Sequence, residues 1–441
     1  MFSALRDRDY RLLWLGQTVS FLGDQFHLIA LPWLVLMLTN DPRQIGFVLA
    51  ASSIPRALLM LLGGAWADRH SPRTIMLVSD VLRFAVVALL SAAILTGTVQ
   101  LWMIYALAII FGTVSGFFYP ASNAAIPRIL EDEQLESGNS LLQIADQAAA
   151  FLGPAAAGVL IAVFGQAVIG GEKMASLTGI GMAFTVDASS FLVSAVCLLA
   201  MAAVSAPDSG AEDHPLQAVK EGLAWVWNEP EIRWILTIIA LANALISGPL
   251  LVGLTVLSKE RLGGTTVAMG IILSVYALGN LAGMFGAGVI PRLSGRAFVA
   301  ATVGLVGGFG IAVATLAFVT ATWQALPLMA LVGIANGYMA VTFVTQLQRV
   351  TPDEMLGRVM GLFMLSMYGL MPLSQAIAGV VIGFGLEALF LGAGSSLVAV
   401  AILAASRPEL RDLSARLDRV FDEQAAEDAE AVELDPAPAE G

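Results

Sequence analysis

Six ionisable side chains stand inside long apolar runs of this sequence: Asp24, Arg56, Asp80, Arg83, Asp146 and Asp187. On insertion scales a charge at the centre of a membrane helix costs roughly 2.5–3.5 kcal/mol, so such residues are functional candidates by default. The chemistry open to them is proton loading and release. A low-dielectric site favours the neutral carboxyl, and a nearby guanidinium favours the ionised one. A carboxylate whose guanidinium partner withdraws during a motion therefore takes up a proton and later gives it back. Asp24 is the candidate titrating group, with Arg83 or Arg56 as its counter-charge. Asp24 and His27 are three apart and share a helix face, as do Asp80 and Arg83. The competing readings are a permanent ion pair that only fixes helix packing, or contact with a substrate. Asp146 suits coupling or a simple hydrogen bond to a neighbour. Asp187, beside Ser189 and Ser190, is equally open, and His27 is either a packing residue or a switch. All six charges fall in the first half of the chain, and the second half has none at comparable depth.

The elements that must position them are membrane helices. Of the 441 residues, 58% are hydrophobic and 13% charged. That is about half the charge of an ordinary soluble domain, and more apolar surface than one water-soluble core can hide. Runs long enough to span a bilayer, about 20 residues each, occur at roughly 11–38, 45–66, 74–96, 101–126, 138–165 and 177–204. A second set lies at roughly 233–257, 267–290, 297–319, 324–348, 357–384 and 387–406. The expected architecture is an all-α membrane protein with twelve transmembrane helices in two six-helix bundles, 1–204 and 233–406. Residues 205–232 read as a linker with an interfacial amphipathic helix around Leu216 to Trp227. Residues 407–441 read as a short exposed helix followed by a disordered acidic tail. No cleavable signal peptide is read at the start, because the first apolar run continues as a span.

Of the 22 Lys and Arg residues, sixteen fall on the side that holds both termini and four on the other, while Arg56 and Arg83 lie within spans. By the positive-inside rule both termini are expected in the cytoplasm of a multi-pass inner or plasma-membrane protein. The halves also look related. IPRILEDEQLESG at 126–138 matches LQRVTPDEMLGRV at 347–359 at a spacing of 221, and Gly63, Arg69 and Arg73 fall opposite Gly286, Arg292 and Arg296 at 223. A parallel repeat of this kind is one of the known transporter plans.

The loop between the second and third spans reads GGAWADRHSPRTIML. Gly64, Asp68, Arg69 and Arg73 resemble the loop signature of the major facilitator superfamily, with Pro72 near the family's second glycine. Gly153, Pro154 and Gly158 in the fifth span resemble the Gly-Pro motif of the family's antiporters, although Ala157 replaces a glycine. The fourth span lacks the arginine motif of the best-known drug/proton antiporters. The stretches LRDRDYRLLWLGQTVSFLGDQFHLIALPWLV and FYPASNAAIPRILEDEQLESGNSLL are more similar to the enterobactin-exporter and macrolide-efflux branch. The resemblance implies a cytoplasmic gate in which Asp68 meets the start of the eleventh span near Arg358. An acid at a helix N-terminus is electrostatically sound there. The second-half loop has Pro291 where the acid would stand, so the latch would be one-sided. The alternative is a basic loop that only holds topology.

Met360, Met364, Met367 and Met371 recur at intervals of four, three and four along the eleventh span and read as one stripe, and methionine suits surfaces that accept varied apolar ligands. Met364, Met367 and Met371, with His27, Tyr119, Tyr338, Tyr368, Asn243, Asn280 and Asn336, form the expected substrate cavity, or else these residues pack helices and face lipid. An amphipathic organic solute fits this mix better than a sugar or phosphate. One cysteine excludes an internal disulfide, and no Cys-based metal site, phosphate-binding loop or nucleophile–base constellation is found. The sequence therefore points to a secondary transporter without cofactor or metal, and not to an enzyme or a nucleic-acid binder. It would work as a monomer in lipid by alternating access, and export a drug, macrolide or siderophore in exchange for protons. A nutrient importer of the same fold, and a non-transporting sensor or lipid-moving protein, are the alternatives.

Overall fold

The structure is a computed structural model. It describes residues 3–67, 70–169, 172–175, 177–202, 215–289, 294–416 and 418–419. The first half comprises α1 (Arg8–Thr39), α2 (Arg43–Ala67), α3 (Pro72–Leu95), α4 (Leu101–Ile129), α5 (Asp132–Phe164) and α6 (Thr178–Ala200). A two-stranded antiparallel ribbon, β1 (Gln166–Ile169) with β2 (Glu172–Ala175), links α5 to α6. The linker helix α7 (Pro215–Asn228) follows. The second half comprises α8 (Pro230–Glu260), α9 (Thr266–Val289), α10 (Gly295–Thr315), α11 (Thr322–Val350), α12 (Asp353–Tyr368), α13 (Met371–Val381) and α14 (Leu386–Ser406). Among the described residues, eleven helices are long and apolar enough to cross a membrane, with α12 and α13 taken as one. The 25-residue α2 packs between α4 and α13 and completes twelve.

Local chemistry sets the boundaries. The Asp7 carboxylate accepts from the Tyr10 amide at 2.8 Å and caps α1, while Asn40 ends it in the left-handed region at φ 50°. Asp132 and Glu133 fall in the first turn of α5, where the helix dipole favours them. The expected eleventh span is not one helix. It breaks between Tyr368 and Met371, because Pro372 has no N–H to give and its ring crowds the carbonyl one turn earlier.

The two halves repeat. In each, the second helix packs on the fourth, the first on the fifth, and the third on the sixth: α2 on α4, α1 on α5 and α3 on α6, then α9 on α11, α8 on α12 and α13, and α10 on α14. Trp102 and Trp323, 66% and 70% exposed, are the second residues of α4 and α11. Both sit where α4 and α11 begin, on the side opposite the termini, as an interfacial aromatic belt requires. Leu58, Leu89, Ile311 and Ile402 on the outer surface are each more than 60% exposed, which suits lipid as solvent.

The halves close on each other at the side opposite the termini. Gly46 of α2 meets Gly379 and the Gln375 carbonyl of α13, and Gly270 of α9 meets the Pro154 carbonyl of α5. Thr266 donates to the Gly158 carbonyl at 2.7 Å, the Ala155 amide to Ser274 at 3.1 Å, and Lys259 to Asn40 at 2.9 Å. On the terminal side α7 lies on α12, with Glu221 paired to Arg358 at 2.8 Å. The helix that continues through 408–416 is not simply exposed. Leu410 and Leu413 are buried against the second half, and Arg416 reaches Glu229, Glu231 and the Val350 carbonyl.

Candidate functional site

A cavity of 640 Å³ lies between the halves and continues into an inner pocket of 220 Å³. Ser53, Arg56, Tyr119 and Met371 line both. The larger cavity reaches Gln17, Ile126 and Asn139, near the ends of α1, α4 and α5 that face the terminal side. With the opposite side sealed by the glycine contacts, access is from the terminal side.

Every Asp, Arg and His lining either space comes from the first half: Asp146 and Arg56 in the large cavity, Asp24, His27, Arg56 and Arg83 in the inner pocket. The second half contributes Met364, Tyr368, Met371, Pro372, Leu251 and Gln375. One wall is charged and the other is largely apolar.

Two of the charges behind this wall are already paired. Arg83, 2% exposed, donates to Asp80 at 2.5 Å one turn back on α3. Its guanidinium lies 3.8 Å from the Phe118 ring centre and 4.6 Å from that of Phe191, a desolvated cation–π arrangement. Asp187 on α6, fully buried, meets His27 Nδ1 on α1 at 2.9 Å. The His27 ring stacks on Phe111 at 4.6 Å and takes Phe184 edge-on at 5.4 Å. Asp24 and Arg56 make no salt bridge among the described residues and face the inner pocket. Arg56 has only long contacts, 3.5 Å to Ser53 and 3.9 Å to the Met371 sulfur. Arg83, although engaged by Asp80, also lines the inner pocket with Asp24, His27 and Arg56. Arg56 shares that pocket without a carboxylate partner among the described residues.

Glycine makes the His27–Asp187 pair geometrically possible. A Cβ on Gly23 would stand 2.0 Å from Ser190 Oγ and 2.6 Å from Ser190 Cβ, so α1 reaches α6 only because that position has no side chain. Gly23→Ala should push the helices apart and destabilise the protein by about 1–3 kcal/mol. A fall in the detergent-solution melting temperature would register this, and an unchanged melting temperature would show that α1 and α6 can repack freely.

The other expected site residues distribute as follows. Tyr119, Met364, Tyr368 and Met371 line the large cavity. Met367, Asn243 and Asn336 do not. They line a separate space inside the second half, because Met360 and Met367 share one line of the helix and Met364 and Met371 the next. Asn280 and Tyr338 also lie away from both central spaces, where α9 packs on α11: Gly337 meets the Asn280 backbone and Gly283 the Tyr338 backbone. Gly153 lets Gln25 of α1 approach, and Pro154 and Gly158 meet α9, so the Gly-Pro motif forms part of the sealed seam. Gly64 falls in α2, while Asp68 and Arg69 lie outside the described residues. Arg73 donates to the Leu198 and Leu199 carbonyls at 2.6 and 3.0 Å, capping the end of α6 as cations at helix C-termini do. Arg358 pairs with Glu221 of the linker helix, a contact not anticipated for a gate residue. Asn139, Gln143 and Asp146 form an i, i+4, i+7 stripe on α5 facing the cavity. The first two were not singled out from the sequence, although their helical spacing marks them. Nothing local in the sequence ties Phe111 to His27.

Comparison with known proteins agrees with this architecture. Residues 13–376 match the Major Facilitator Superfamily. The chain belongs to that family, and it is a multi-pass membrane transporter rather than an enzyme. It is 26% identical over 400 residues to the multidrug efflux pump Tap of Mycolicibacterium fortuitum, covering 89% of this chain and 93% of that one. To Tap of Mycobacterium tuberculosis it is 27% identical over 407 residues, covering 89% and 91%. Among solved structures, a bacterial homologue of the iron transporter ferroportin, crystallised inward-facing, overlays with a TM-score of 0.68 at 19% identity, covering 91% of this chain and 99% of the other. The last likeness speaks to fold alone.

Proposed function

We propose that this transporter exports amphipathic organic compounds, drugs in the first place, in exchange for protons. The observation that carries the reading is the unpaired Asp24 and Arg56 facing one pocket whose opposite wall is methionine, tyrosine and other weakly polar side chains. Similarity to the Tap efflux pumps supports the substrate class. The excess of Lys and Arg on the terminal side supports a cytoplasmic location for both termini and for the open cavity. Substrate enters from there or from the inner leaflet while Asp24 is ionised. Protonation of Asp24 removes its negative charge from the pocket and favours the alternative packing of the halves, in which the substrate leaves. The protein works as a monomer, its rocking supported by the glycine seams.

Direction is tested by uptake of ethidium into inverted membrane vesicles with an acidified lumen. Export predicts accumulation that collapses when a protonophore is added. Accumulation in right-side-out vesicles and none in inverted ones would instead make the protein an importer.

A further inference from the structure

Among the described residues, Asp146 is the only acid lining the 640 Å³ cavity, and proton exchange at Asp24 makes no use of it. It stands on α5, the helix of the first half that packs on α9, while Arg56 stands on α2, which packs on α13. These two helices are the edges of the first-half wall, where it meets the second half. Their charges sit at similar depth. Arg56 is ten residues beyond Gly46 of the sealed seam, roughly 15 Å at 1.5 Å per residue. Asp146 is eight residues before Pro154 of the same seam, roughly 12 Å. The cavity therefore carries a fixed negative charge at one edge and a fixed positive charge at the other.

The walls compensate neither charge. Asp146 and Arg56 make no salt bridge with each other or with any other described residue. Asp24 lies in the adjoining inner pocket and does not line this cavity. The second half adds no charge there, only Tyr368, Met364, Met371 and Pro372. When the halves close over a substrate, water leaves, and a charge stranded without a partner is costly. A monocation answers Asp146 and strands Arg56. A monoanion does the reverse. A molecule with both charges on one flat apolar body answers both, and its body packs on tyrosine and methionine. The volume suits such a molecule, because drug-sized ligands occupy pockets of about 300–1,000 Å³.

We infer that the central cavity selects zwitterionic amphipathic compounds, with Asp146 holding the cationic group and Arg56 the anionic one. This charge selectivity rests on the central cavity being the transport site of the proposed exporter. A monocation such as ethidium is still accepted, through Asp146 alone, but more weakly. The test is equilibrium dialysis at neutral pH on the full chain in nanodiscs, without a gradient and with empty nanodiscs as the blank. The probe is ciprofloxacin, a flat ring system with an ammonium at one end and a carboxylate at the other. Its ethyl ester keeps only the cation, and its N-acetyl derivative only the anion. Wild type should bind the parent roughly tenfold or more tightly than either derivative, the worth of one hydrogen bond to a charged group. Asp146→Asn should weaken both the parent and the ester, whereas Arg56→Gln should weaken the parent and tighten the ester. If a variant does not fold, the three ligands on the wild type decide. No saturable binding of the parent, equal affinity for all three ligands, or parallel effects of the two substitutions on parent and ester would each overturn the assignment. Failure of ethidium accumulation in inverted vesicles would strike the export reading instead and leave this binding pattern in place.

Discussion

Asp24→Asn is expected to abolish gradient-driven accumulation of ethidium in inverted vesicles, by a hundredfold or more, while equilibrium exchange of ethidium across the membrane continues. The asparagine keeps the shape and loses the charge that alternates. Among the acids of the first half, Asp80 is held by Arg83 and Asp187 by His27, whereas Asp24 faces the pocket without an ion pair. Asp80→Asn should behave differently. It strands a buried guanidinium, which costs about 3–5 kcal/mol, so the loss there is of folded protein and not of coupling alone. Comparing accumulation per folded molecule separates the two. Equal accumulation by wild type and Asp24→Asn would remove Asp24 from the mechanism and leave the fold untouched.

The second large effect is conformational. Gly46→Val should trap the transporter away from the state described. A Cβ at Gly46 would lie 2.3 Å from the Gln375 carbonyl and 2.5 Å from the Gly379 Cα, and backbone atoms on a neighbouring helix cannot step aside. Overpacking of about 1–3 kcal/mol placed on one conformer alone shifts the two-state balance roughly five- to 150-fold. Transport should fall at least tenfold. A cysteine at Ser53, in a Cys197→Ser background, should become reactive toward an impermeant maleimide from the side opposite the termini. Gly288→Val is the control, because nothing lies within 4 Å of a Cβ there. Unaltered flux and labelling in Gly46→Val would show that the seam is not what closes that side.

Much of the fold was legible because lipid leaves few options: a span must be long, apolar and helical. The repeat was legible because its loops kept their charges at a spacing of 221. Which charges meet was harder. Arg83 and Asp80 share a helix turn, so their pairing follows from spacing. His27 and Asp187 are 160 residues apart and meet only because Gly23 lets α1 sink against α6, a fact that no local periodicity carries. The methionine stripe was read as one face, yet two adjacent lines of a helix serve different spaces. The apolar face of the last helix, Leu410 and Leu413, was mistaken for an exposed one.

Proton movement itself is the most direct measurement. In proteoliposomes with a trapped pH dye and no imposed gradient, an inward ethidium concentration step should drive protons out through the wild-type protein, and the lumen should turn alkaline as the dye enters. With Asp24→Asn, ethidium entry should leave the lumen pH flat. Wild-type ethidium flux with no accompanying pH change would contradict the account, because charge facing the cavity from one half only would then not be tied to a moving proton.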